Sequence, residues 1–230
     1  REASNARREL SLASRALPAL HRLTLEALKA RASSLAARPT LLNELQPSPK
    51  GAEAYVLRHE RVEEVLQSIR DELTASHTRT QQLASPSAEA PLEVWRVGRP
   101  TLLFAVDAGG VCVAHITNPR CYADNAEGTE FTRMAERFPV LKSSLALGAQ
   151  SSSGLWEVDG KPLLVATSPI KSLTGEPTGA LVIGYPLNEI VAQYARRLGV
   201  QVALTRGGIV SDSSSFDINV EQTLSRSLKN

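Results

Sequence analysis

Apolar residues change their period once along this chain. Up to about residue 82 they recur near every 3.6 positions; from Thr101 onward they come in short runs rich in β-branched residues. In the first part Leu10, Leu17, Leu20, Leu28 and Leu35, with Ala13, Leu25 and Ala32, form one stripe and predict a helix over 6–37. Alanine, leucine, arginine and glutamate dominate there, all good helix formers. Pro18 removes a backbone donor and crowds the turn before it, so a kink or a helix start is expected nearby. Arg38-Pro39 ends the element. After the break Gln46-Pro47-Ser48-Pro49-Lys50-Gly51 comes a second helix, from about Ala52 to Gln82, with Tyr55, Val62, Leu66, Ile69 and Leu73 on one face. Two long amphipathic helices with a short polar connection read as an antiparallel hairpin.

The later runs predict one five-stranded antiparallel sheet between Thr101 and Leu187. Its strands are Thr101–Asp107, Val111–Thr117, Leu155–Val158, Lys161–Ile170 and Gly179–Tyr185, with turns at Ala108-Gly109-Gly110, Asp159-Gly160 and Leu173–Thr178. Asp-Gly between alternating runs is a strong hairpin signal. Between the second and third strands lies an insertion: a loop over 118–128 carrying Arg120 and Tyr122, a helical piece over 129–138, a shorter one from Pro139 to about Leu147, and a flexible polar run from Gly148 to Gly154. After the sheet, Asn188–Leu198 predicts a helix stopped by Gly199, and Val200–Thr205 with Ile209–Ser211 a small hairpin. The class is α+β: long N-terminal helices packed on a five-stranded sheet, with a short C-terminal hairpin appendage.

Charge and cysteine content narrow the partners. Lys plus Arg number 26 against 24 for Asp plus Glu, a net charge of +2 over 230 residues. With no clustered cations there is no electrostatic reason to expect nucleic acid. The first residue is Arg and the only methionine is Met134, which reads as a processed protein or an excised fragment. No apolar run approaches the ~20 residues of a membrane span, so any membrane anchor lies outside this stretch. Cys112 in a strand and Cys121 in the next loop are the only cysteines. Two independent thiols is the plain reading, because a bridge needs the chain to fold back sharply at Asn118-Pro119.

The sequence carries no recognisable catalytic constellation. His59 and His77 share a helix face but stand 18 residues apart, about 27 Å, too far to share a metal with each other; His21 and His115 join no Cys/His cluster of zinc spacing. Gly154–Lys161 superficially resembles a phosphate loop, but its spacing is one residue too long and Pro162 stands where a Ser or Thr would bind magnesium. No nucleophile-elbow pattern occurs. Glu63-Glu64 sits on a helix surface, where solvated charge explains it. The chain reads as no enzyme, and calls for no cofactor and no metal.

Two long helices, strand–turn–strand with Asp107-Ala108-Gly109-Gly110, a loop-helix insertion and a three-strand return ending Gly179-Ala180-Leu181-Val182-Ile183-Gly184 resemble the Cache family. These are the PAS-like extracytoplasmic sensor domains of bacterial chemoreceptors and sensor kinases. Val202–Ser211 is similar to the start of a second unit in double-Cache sensors, but only residues 212–230 follow it, so one module plus a stub is expected. The resemblance implies a helical hairpin over 1–90 for extension and dimerisation, a ligand-binding module over 91–198, and a stub over 199–230 leading to the membrane. It also implies a pocket on the curved sheet face, roofed by the insertion. Candidate anchors there are His115, Arg120, Tyr122, Trp156, Thr167, Lys171 and Tyr185. Each has a plainer reading: Trp156 covering the sheet, Arg120 and Lys171 as solvated cations, Thr167 as a good strand former.

Arg120 can grip a carboxylate through two parallel hydrogen bonds, and the family's aspartate-containing amine-binding motif finds no clear match. The expected ligand is therefore a small organic acid. The expected role is a periplasmic sensing domain of an inner-membrane receptor, a chemotaxis receptor by family habit, dimeric through its N-terminal helices. The alternative is a ligand-free interaction or scaffold module. A polar cavity would favour sensing; a filled apolar core behind Trp156 and Tyr185 would favour the scaffold.

Overall fold

The computed structural model describes residues 2–45, 52–82, 99–116, 139–158, 160–206 and 209–213, and the side chains of 10–45, 57–75, 99–116, 141–158 and 160–203 among them. Three N-terminal helices come first: α1 (Glu2–Ala36), α2 (Pro39–Leu45) and α3 (Ala52–Gln82). Strands β1 (Leu102–Asp107) and β2 (Cys112–His115) follow, then helix α4 (Pro139–Leu145). The sheet is completed by β3 (Ser152–Val158), β4 (Lys161–Lys171) and β5 (Pro177–Pro186). Helix α5 (Leu187–Leu198) and a two-stranded hairpin, β6 (Ala203–Arg206) with β7 (Ile209–Ser213), end the described chain. The helix expected over 129–138, the loop before it and Cys121 lie outside the described residues.

The chain forms two compact units, one of residues 1–24 with 186–230 and one of residues 25–185. In the larger unit the five strands run antiparallel in the order β2-β1-β5-β4-β3. Only the β1–β2 and β3–β4 pairs and the β4–β5 connection are local. The central pairing joins β1 to β5 across some seventy residues, from Leu102↔Gly184 to Asp107↔Gly179. Gly179 is required by space: a Cβ there would stand 2.2 Å from the Val106 carbonyl oxygen. The β1–β2 turn is built on Asp107, whose Oδ1 accepts the N–H groups of Gly109 and Val111 at 2.9 and 3.0 Å. Gly110 takes the left-handed conformation the turn needs, φ 79°.

Strand alternation divides the side chains between two faces. On one face Leu102, Phe104, Val106, Cys112, Trp156, Leu163, Val165, Ala180 and Val182 form a buried apolar cluster with Leu141 of α4. The opposite face, with Leu103, Ala105, Leu181 and Ile183, is equally buried, and α3 packs on β1 and β2. The register slips between Ala105 and Val106, leaving Val113 as the extra residue of a bulge. His59 Nδ1–H of α3 donates to the Val113 carbonyl at 2.5 Å, giving a carbonyl of this edge strand its partner. Because the bulge absorbs a residue, Cys112 and His115 share a face although they are three apart.

Four expectations need correction. The first helix runs unbroken from Glu2 through Pro18, so no start lies there. Ser14 and Pro18 are both exposed, so water can take the freed carbonyl, while burial of Ala13 and Leu20 holds the surrounding turns. Between the two long helices, α2 is an element the sequence pattern did not signal. It packs on α3 and touches β4, with Leu41 and Leu45 buried, and Arg58 of α3 caps it by donating to the carbonyls of Glu44 and Leu45 at 3.0 and 2.9 Å. The polar run expected to be flexible before Leu155 is ordered strand from Ser152, because Ser152-Ser153-Gly154 pairs with Thr167-Ala166-Val165. Last, the final hairpin begins at Ala203, not Val200.

In the smaller unit α5 buries Leu187, Ile190, Val191, Gln193 and Tyr194, and Gly199 closes it at φ 65° with its N–H bonded to the Ala195 carbonyl. Tyr194 meets α1 in a buried polar chain. Thr24 Oγ1 donates to the Leu20 carbonyl at 2.8 Å, so it must accept from Tyr194 Oη–H at 2.7 Å. Tyr194 has then spent its proton, so His21 Nδ1–H is the donor at 3.0 Å. Burial lowers the His21 pKa and raises that of Tyr194.

Candidate functional site

The face shared by His115 and the apolar cluster is the one on which α4 packs. His115, half-buried at the end of β2, stands directly opposite Phe104. Phe104 tilts against Trp156, ring centroids 6.2 Å apart at 45°, and Trp156 stands opposite Leu163 on β4. Two strand positions along β4 from Val165 lies Thr167, wholly buried. Its hydroxyl is hydrogen-bonded to that of Ser144, equally buried, which fixes α4 over this end of the sheet. A pair of hydroxyls satisfying each other avoids the penalty of burying either alone. Cys112, on the same face, has its thiol pKa pushed up by burial, and its Sγ lies 3.6 Å from the Ala114 carbonyl; it is an inert core group at neutral pH.

Of the seven candidate anchors, the structure brings His115, Trp156 and Thr167 onto this one face. Trp156 and Thr167 are buried beneath α4, so His115 is the one of the three with solvent access. Tyr185 has the strand parity of Leu181 and Ile183 and so belongs to the opposite face, 1% exposed. Burial raises its pKa while the nearby Arg31 guanidinium of α1 opposes the rise. Lys171 is exposed and lines a separate cleft beside α1. Arg120 and Tyr122 lie outside the described residues. Sequence reading missed Ser144, whose signal was a serine at the i+3 position from buried Leu141. It also missed Ser168, next to Thr167 on an otherwise apolar strand, and Thr24, a buried hydroxyl of α1.

Among the described residues no group of His, Cys, Asp and Glu is placed to hold a metal ion, and no helix is long and apolar enough to cross a membrane. No protein-family model matches the sequence, and no curated protein does. Solved structures do match. The chain has the PAS-like fold of extracytoplasmic sensor domains. It superimposes on the periplasmic domain of LuxQ from Vibrio cholerae with a TM-score of 0.56, over 91% of this chain and 82% of that one, at 14% identity. On the sensor domain of the V. cholerae histidine kinase DctB the TM-score is 0.53, over 92% of this chain and 66% of that one, just under two thirds, at 15% identity.

Proposed function

We propose that this chain is the extracytoplasmic ligand-sensing domain of a transmembrane signalling receptor, and in the first place of a chemotaxis receptor. The observation that carries the reading is a five-stranded sheet of order β2-β1-β5-β4-β3 with helices on both faces, in a chain that superimposes over nine-tenths of its length on a periplasmic domain and on a kinase sensor domain. The ligand is a small organic anion held on the His115 face, with Arg120 and Tyr122 in the adjoining insertion as its anchors. Binding there transmits by biasing the sheet and its flanking helices between two arrangements, which requires tighter binding to one of them. α1 supports a homodimeric assembly. Leu12, Ala16, Ala19 and Leu23 are all exposed and recur with the four-three-four spacing of a coiled-coil seam, Leu12 at 60% and Leu23 at 51% exposure.

A thermal-shift panel of carboxylates, amino acids, amines and nucleotides tests the reading. A carboxylate at a hundred times its Kd adds about 2.7 kcal/mol of stability, and Arg120→Ala should weaken that binding about tenfold or more. No shift with any compound moves the weight to a second reading, a scaffold or interaction module. The burial of Trp156 within the apolar cluster, and of Tyr185 on the opposite face, favours that alternative.

A further inference from the structure

The larger unit contains a polar concavity lined by residues other than His115, Trp156 and Thr167. It measures about 600 Å³, opens to solvent, and lies where the C-terminal turns of α1, residues 150–151 ahead of β3 and the end of β4 meet. Its charges are unevenly matched. Glu26 and Lys29 of α1 satisfy each other at 2.6 Å, whereas Lys171 has no carboxylate within ion-pair range among the described residues. Ser168 is 2% exposed on a strand that is otherwise apolar from Leu163 to Ile170 apart from Thr167. Ser151 donates to its Oγ at 2.9 Å. Having accepted that bond, Ser168 retains its own O–H, for which no acceptor is found among the described residues. A buried strand hydroxyl with an unspent proton is costly to maintain unless something accepts from it, and the exposed Lys171 ammonium on the same cleft is free to meet an anion.

We propose that this cleft is a ligand site in its own right and takes a hydroxylated monocarboxylate of sugar-acid size. Lys171 holds the carboxylate, and Ser168, Ser33 and the Gln150 amide take the hydroxyls. The volume falls in the range of small-molecule sites, ~300–1,000 Å³, and is far larger than a two-carbon acid fills. A single unbalanced cation selects one negative charge over two. The polar lining selects against an aliphatic acid, which would leave the serine and amide groups without partners. The site does not depend on the sensing role: of the anchors first expected for that role it takes only Lys171, and it uses none of His115, Arg120 and Tyr122.

Calorimetric titration of the whole chain with glucuronate, galacturonate and gluconate tests this, with glucose and butyrate as the uncharged and unhydroxylated comparisons. At least one sugar acid should bind, and glucose and butyrate should each bind about tenfold or more weaker. Lys171→Ala, an exposed position, should weaken the acid by about tenfold or more and Lys171→Arg should restore most of it. Undiminished affinity in Lys171→Ala overturns the proposal, as does loss of binding in Arg120→Ala with Lys171→Ala unaffected, which would put the acid on the His115 face. Absence of binding by all three acids at millimolar concentration also overturns it.

Discussion

Gly179 and Asp107, opposite each other at the β1–β5 pairing, show how much of this fold rests on single residues. With 2.2 Å between a would-be Cβ at Gly179 and the Val106 carbonyl oxygen, backbone has to move before any side chain fits. Gly179→Ala should therefore destabilise by about 3 kcal/mol, the upper end of ordinary overpacking, measured by urea denaturation. Asp107→Ala, which removes the acceptor for two turn N–H groups at a half-exposed position, should cost less, about 1–2 kcal/mol. An equal or smaller cost for Gly179→Ala would show that β5 can slide outward there. The role of Asp107-Ala108-Gly109-Gly110 as a turn was legible in the sequence, since those residue types carry their reason locally. The role of Gly179 was not, because its constraint comes from Val106 across the sheet. Thr167 and Tyr185 make the same point for the candidate site: residue type marked them, but burial beneath α4 for one and the opposite face for the other depend on packing.

At the scale of elements, α1 and α5 are joined by the chain His21–Tyr194–Thr24–Leu20. Tyr194→Phe leaves His21 Nδ1–H without its acceptor and should cost about 1–2 kcal/mol. The chain also makes stability depend on pH with a definite sign. An unfolded histidine binds its proton near pH 6.5, and burial places the folded value lower. Between those two values only the unfolded state is charged, so stability is lost as pH falls below about 6.5 and levels off below the folded value. Urea titrations at pH 7.5 and 5 should show a larger loss for the native chain than for His21→Asn; an equal loss would mean that the imidazole titrates alike in both states. Periodicity placed α1, α3 and α5 to within a few residues of their observed bounds, since amphipathic stripes and cap residues lie within the element itself. α2 escaped because seven residues are too short to show a period, and its capping groups come from Arg58 of another helix.

For the whole molecule the testable consequence is assembly. If the exposed seam of α1 pairs two copies, light scattering should report a dimer, and Leu12→Glu with Leu23→Glu, both on exposed positions, should give a folded monomer. A native chain monomeric at high concentration would remove that part of the proposed function.

By itself the sequence determined the class of this protein. The change from a 3.6-residue period to short β-branched runs specifies helices followed by an antiparallel sheet, and the turn residues punctuate the strands. Those are properties of neighbouring residues, and neighbouring residues are adjacent in the sequence. Tertiary structure alone decided that β5 lies between β1 and β4, that the bulge at Val113 turns Cys112 and His115 to one face, and that Lys171 parts company with Trp156 and Thr167. Each of these follows from contacts between residues far apart in the chain, where register and packing rather than local propensity set which side chains meet.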